Sequence, residues 1–125
     1  MLVLFVLALG AIVYWRSSSP PAAAVYCSEH TPPTPGTVVM LSNTWCPYCA
    51  RARAFFSEHA IAFCEYDTEH SARGAALYTH FNGRGVPVII AGGEVMHGFN
   101  PGWIEDVVGG RASVPLRDWP GMRGQ

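Results

Sequence analysis

Two cysteines three positions apart, Cys46 and Cys49, enclose Pro47 and Tyr48. Thiols at this spacing close into a small disulfide and reopen, which makes a two-electron switch. A thiol exchanges disulfides only as its thiolate, and an ordinary cysteine with a pKa of about 8.5 is mostly protonated at neutral pH. The chemistry therefore needs a local source of positive potential. A helix N-terminus supplies one, through unpaired N–H groups and about half a positive charge. Cys46 is expected at such an end, because the helix-forming stretch Ala50–Glu58 follows and Pro47 suits a first helical position. The thiolate of Cys46 is then stabilised, and Cys49, one turn on, is the more buried. Cys46 attacks a substrate disulfide, Cys49 resolves the mixed disulfide, and Cys46–Cys49 is the redox-active pair. Arg51 and Arg53 either add positive charge nearby or are simply solvated.

A C-x-x-C pair is also half of a zinc site, which needs a second close Cys/His pair. Cys27 and Cys64 are isolated, and the histidines at 30, 59, 70, 80 and 97 show no ligand spacing. No bound metal or organic cofactor is expected. Cys64 reads as an outward or half-buried strand residue. Cys27 reads as a free thiol, ahead of pairing with Cys64 or carrying a lipid.

The pair must be held by a strand before it and a helix after it. Thr37–Ser42 is a β-branched, apolar run of strand character. Helical periodicity covers about Pro47–His59, with Ala52, Phe55 and Phe56 inward. A second strand covers Ile61–Asp67, with Ile61 and Phe63 on one side and Cys64 and Tyr66 on the other. A second helix covers about Ser71–Phe81, with Ala75, Leu77, Tyr78 and Phe81 as core candidates. Val86–Ala91 and Glu94–His97 read as strands joined by a Gly92-Gly93 turn. Asn100 caps a last helix with Pro101 at its first position and Trp103, Ile104, Val107 and Val108 apolar. Alternating strands and helices indicate an α/β layer around a central sheet.

The chain has 125 residues, enough for one domain of modest core. Its net charge is −1, so no basic footprint argues for nucleic acid, and every basic residue is arginine. Residues 1–16 begin with an almost wholly apolar run closed by Arg16. Fifteen helical residues rise about 22 Å, short of a ~30 Å hydrocarbon core. A tilted or slightly thinned-bilayer anchor is the favoured reading over a cleaved signal, with Tyr14, Trp15 and Arg16 at the interface. Residues 17–36 form a Pro/Ser/Ala-rich tether, residues 37–109 the domain, and residues 110–125 a tail without clear periodicity.

Residues 37–109 resemble a glutaredoxin, a small member of the thioredoxin-like fold. Four features carry the resemblance: Cys46–Cys49 after the first strand, the ARARAFF helix text of Ala50–Phe56, the Val86-Pro87 dipeptide, and the HGFNP run of His97–Pro101. The resemblance implies a three-layer fold with a central four-stranded mixed sheet, preceded here by an apolar helix and a tether. It implies a cis peptide at Val86–Pro87, and substrate contacts at Tyr48, Val86, Pro87, Phe99 and Asn100. Many glutathione-using members carry lysine where this chain has Asn43, and a Gly-Gly-Cys-Asp-Asp-like run where it has His97–Pro101. Two charge-assisted anchors for glutathione, worth roughly 1.5–3 kcal/mol each, are thus weakened or absent. The expected activity is thiol–disulfide oxidoreduction on protein disulfides or glutathione mixed disulfides. The electron donor is glutathione, a co-substrate at most, or thioredoxin reductase. A disulfide oxidant or isomerase outside the cytoplasm, and an iron–sulfur or metal-binding module, are the rival readings. Arg16 after the apolar run leans towards a membrane-held domain facing the cytoplasm rather than the periplasm.

Overall fold

The computed structural model describes residues 1–17 and 22–109, with side chains described for residues 1–13 and 22–109. The tail 110–125 and the interfacial side chains Tyr14–Arg16 lie outside the described residues. The elements in order are α1 (Leu2–Ser17), β1 (Val38–Ser42), α2 (Pro47–Glu58), β2 (Phe63–Asp67), α3 (Ala72–His80), β3 (Val88–Ala91), β4 (Glu94–His97) and α4 (Pro101–Val108).

The four strands form one mixed sheet in the order β2-β1-β3-β4, with β1 and β2 parallel and the other two pairings antiparallel. Strand residues alternate between two cores, as the period of two requires. Val38, Met40, Ile89 and Ala91 face α2 and α4, where they pack with Ala52, Phe56 and Ile104. Val39, Leu41, Val88 and Ile90 face α3, where they pack with Tyr66 and Leu77. The result is a three-layer arrangement with β1, buried along its whole length, at its centre.

Helix α3 approaches the sheet closely because Gly74 lies beneath it. A Cβ at this position would fall 2.8 Å from Tyr66 Cβ and 2.9 Å from the Asp67 carbonyl oxygen. Ala75, expected in the core, is exposed, and Gly74 takes the inward place. The helix is capped by Ser71, whose hydroxyl accepts the Gly74 N–H at 2.8 Å.

The structure departs from the sequence reading in the segment before β1. Val25–Glu29 does not hang free as part of a tether. Cys27 N donates to the Glu65 carbonyl at 2.9 Å and Glu65 N to the Val25 carbonyl at 2.7 Å, which pairs Tyr26 with Glu65 in parallel fashion along the edge of β2. The Tyr66 hydroxyl donates to the Ser28 carbonyl at 3.1 Å, and Glu29 accepts from the Ser71 hydroxyl. Cys27 and Cys64 form a disulfide across this seam. The expectation of a free thiol at Cys27 and an outward Cys64 is corrected: Cys64 is buried against the α3 face of the sheet. Unpaired strand edges recruit backbone partners, and the segment answers that need for β2.

Helix α1 has 16 residues and exposes its apolar side chains, including Leu4, Phe5 and Leu7. No helix among the described residues is long and apolar enough to cross a membrane.

Candidate active site

The Cys46–Cys49 pair sits where β1 hands over to α2. Cys46 is the N-cap of α2, with extended backbone, and Pro47 occupies the first turn, where its missing N–H costs no helical bond. The Cys46 sulfur accepts the Cys49 N–H at 3.1 Å. It plays the part that a serine or aspartate oxygen plays at other helix starts. The Cys46 thiol donates to the Val86 carbonyl at 3.4 Å. The Val86–Pro87 peptide is cis, as the family resemblance implies. Gly98 at φ 103 donates its N–H to the Pro87 carbonyl at 2.8 Å, which ties the end of β4 to this turn. A side chain there would oppose a positive φ.

Cys46 is 7% exposed and Cys49 0%. Both are free thiols. Burial pushes the Cys49 thiol up to about 12, and its hydrogen bond with Cys46 adds to the rise. A backbone hydrogen bond from Asn43 and the positive charge of Arg53 oppose it. The two sulfurs therefore differ in the way a dithiol sequence needs: one is at the rim of the site, the other is held protonated inside the core.

The remaining sequence-derived residues fall in different places. Tyr48 is 57% exposed on the first turn of α2, with the Arg51 guanidinium 5.2 Å from its ring centroid. Pro87 is buried and Val86 half-buried beside the cysteines. Phe99 is half-buried against Phe55, with ring centroids 5.8 Å apart, and joins the same cluster. Asn100 is the N-cap of α4, its Oδ1 accepting the Trp103 N–H at 3.2 Å. Trp45, before Cys46, is 69% exposed, and its indole N–H reaches Glu69 at 3.2 Å. Asn43 turns inward: it is 6% exposed, and its Oδ1 is buried without a hydrogen-bond partner.

Sequence reasoning missed Glu65. Its carboxylate is buried to 1% and accepts from Arg53 Nε at 2.8 Å, Arg53 Nη2 at 2.7 Å and the Ser42 hydroxyl at 2.8 Å. Arg53 is thus not a solvated helix residue. The available signal was the strand alternation that places Glu65 on the same face as Phe63, toward α2. No group of His, Cys, Asp or Glu that could hold a metal ion occurs among the described residues.

Residues 38–96 match the glutaredoxin family model. Among solved structures, a thioredoxin-like protein variant is similar at TM-score 0.54 and 20% identity, covering 58% of this chain and 95% of the other. The glutaredoxin from Archaeoglobus fulgidus is similar at TM-score 0.51 and 20% identity, covering 60% of this chain and 88% of the other. A buckwheat glutaredoxin–glutathione complex superposes at TM-score 0.45 with 25% identity, covering 58% of this chain and 69% of the other. No curated protein sequence is significantly similar to the chain.

Proposed function

Residues 38–96 form a glutaredoxin-family domain on a thioredoxin-like fold, and from that premise we propose that this thiol–disulfide oxidoreductase works through Cys46 and Cys49 as a dithiol pair. Cys46 attacks one sulfur of a substrate disulfide, the substrate bond breaks, and the first substrate thiol leaves with the electron pair. Cys49 then loses its proton and attacks Cys46, which releases the second thiol and leaves a Cys46–Cys49 disulfide. The observation that carries this reading is the asymmetry of the pair: the Cys46 sulfur accepts an N–H at the start of α2, and Cys49 is fully buried behind it.

Protein disulfides are the favoured substrates over glutathione mixed disulfides. Where glutathione-using relatives place a lysine, this chain buries a neutral Asn43. Pro101, at the start of α4, has no N–H to offer a γ-glutamyl carboxylate. Val86, whose carbonyl accepts from the Cys46 thiol, and Phe99, packed against the same cluster, together with the exposed Tyr48 after Cys46, offer apolar surface to the residues flanking a client cysteine. Thioredoxin reductase is the matching donor. The transmembrane reading of α1 is set aside, its roughly 24 Å rise being too short for a span, and we assign the helix instead to the membrane interface.

The test is substitution. Cys46→Ser abolishes disulfide reduction, and Cys49→Ser stalls at a mixed disulfide on Cys46. Full activity in the Cys46→Ser protein would refute the assignment.

One observation favours a second reading. The Cys27–Cys64 disulfide supports an oxidising compartment for the domain, against the cytoplasmic side to which Arg16 leans. On that side the same pair serves as an oxidant or isomerase. The potential of the Cys46–Cys49 couple separates the two, since oxidants lie near about −120 mV and reductants near about −200 to −270 mV.

A further inference from the structure

The dithiol sequence leaves one step unexplained: the buried Cys49 must give up its proton before it can attack. Arg53 follows Cys49 by four residues, which places both on the same side of α2. The guanidinium does not reach for solvent. Glu65 holds it in a two-point fork at 2.8 and 2.7 Å, and Ser42 fixes that carboxylate from β1 at 2.8 Å. The next residue, Asn43, gives its backbone hydrogen bond to Cys49. The backbone of Glu65 is in turn covered by Val25–Cys27, and the neighbouring Cys64 is stapled to Cys27. A cation is thus fixed one helical turn from the resolving sulfur, its own side chain 16% exposed and its carboxylate partner 1% exposed.

Resting on the dithiol reading above, we propose that Arg53 is a positioning residue for the resolving step, its Glu65-locked positive charge stabilising the Cys49 thiolate as it forms. Other groups facing Cys49 do not supply that charge. Cys46, from the helix N-cap, opposes ionisation of Cys49, the Asn43 backbone favours it through an uncharged hydrogen bond that outweighs the Arg53 charge, and the core cluster that holds Cys49 is otherwise apolar. Glu65 lies behind the guanidinium and sets its place. The interaction of Arg53 with Cys49 acts in the required direction. The opening chemistry at Cys46 does not depend on this charge in the same way, so the two steps separate.

The test uses the full chain with Cys46 and Cys49 reduced and the Cys27–Cys64 disulfide intact, a state checked by thiol count, with Ellman's reagent as the substrate disulfide. Attack by Cys46 breaks the reagent's S–S bond and releases one thionitrobenzoate. Attack by Cys49 on the loaded Cys46 releases the second and leaves the protein oxidised by two electrons. Rapid mixing reads the two releases separately from pH 7 to 10. In Arg53→Gln the first release keeps its rate and the second slows by about three- to tenfold, a Coulombic effect of half to one pH unit on Cys49. Arg53→Lys, which keeps the charge without the fork, recovers most of the rate. Because Arg53→Gln leaves Glu65 buried and unpaired, the neutral double variant Arg53→Gln/Glu65→Gln is measured beside it, and it too closes slowly. A second release unchanged in Arg53→Gln overturns the proposal while the dithiol reading stands. So does a double variant that closes at the wild-type rate, since the single variant's defect then comes from the stranded carboxylate. Absence of a second release from the wild-type chain overturns the dithiol reading itself.

Discussion

Cutting the Cys27–Cys64 bond tests whether the covalent seam or its hydrogen bonds hold the N-terminal segment on the sheet. The two cysteines are separated by 37 residues, so their link removes loop-closure freedom from the unfolded chain. The chain-entropy relation gives about 4 kcal/mol at 25 °C for a loop of this length. For a domain of this size each kcal/mol moves the midpoint by about 4–8 °C, so the melting temperature should fall by roughly 15–30 °C. The comparison is cleanest within one sequence. A chain carrying Cys46→Ser and Cys49→Ser retains only this disulfide, and its oxidised and phosphine-reduced forms differ by nothing else. Urea unfolding followed by tryptophan fluorescence gives the stability difference. Amide exchange at Cys27 and Glu65, whose N–H groups bond across the seam at 2.9 and 2.7 Å, reports whether the segment lifts. If the segment detaches on reduction, those amides lose protection before the rest of β2. A stability difference below about 1 kcal/mol with protection intact would refute the reasoning, because backbone pairing alone would then fix the segment.

Three further outcomes are expected. Gly74→Ala destabilises the domain by about 1–3 kcal/mol in urea titration despite alanine's better helix propensity, because the new methyl meets Tyr66 Cβ and the Asp67 backbone at 2.8 and 2.9 Å. With Cys46 and Cys49 reduced and Cys27–Cys64 intact, the Cys49 contribution to stability is constant well below pH 9.0 and falls as the pH rises from there toward about 12, since the unfolded chain then releases a Cys49 proton that the folded core retains. The loss is about 1 kcal/mol at pH 10, and Cys49→Ala removes it. Asn100→Ala costs about 1 kcal/mol of stability through the lost cap of α4 and leaves KM for a peptide disulfide unchanged; a raised KM at equal stability would make Asn100 a substrate contact instead.

The order of strands and helices after residue 37 was legible in the chain because its signals are local. The β-branched, apolar run of Thr37–Ser42, the two-sided pattern of Ile61–Asp67, proline after Cys46, the Gly92-Gly93 turn and the Asn100 cap each report a conformation that neighbours impose within a few residues. The place of Cys46 at a helix start follows from the same short stretch. Gly74 was missed for Ala75 because helical periodicity tolerates a one-position rotation, and only contact with β2 decides which residue must lack a side chain.

Non-local pairing decided the rest. Cys27 and Cys64 carry no mark of each other in sequence; they meet because β2 offers an unpaired edge and the chain before β1 is free to lie along it. Nothing in the sequence pairs Arg53 with Glu65; they meet because the sheet brings β2 beneath α2 and buries the carboxylate. The chain by itself determined which sulfur stands at the helix start and which lies one turn behind it. The packed structure decided what surrounds the sulfur that answers, because burial and fixed charge are properties of assembled layers rather than of any segment within them.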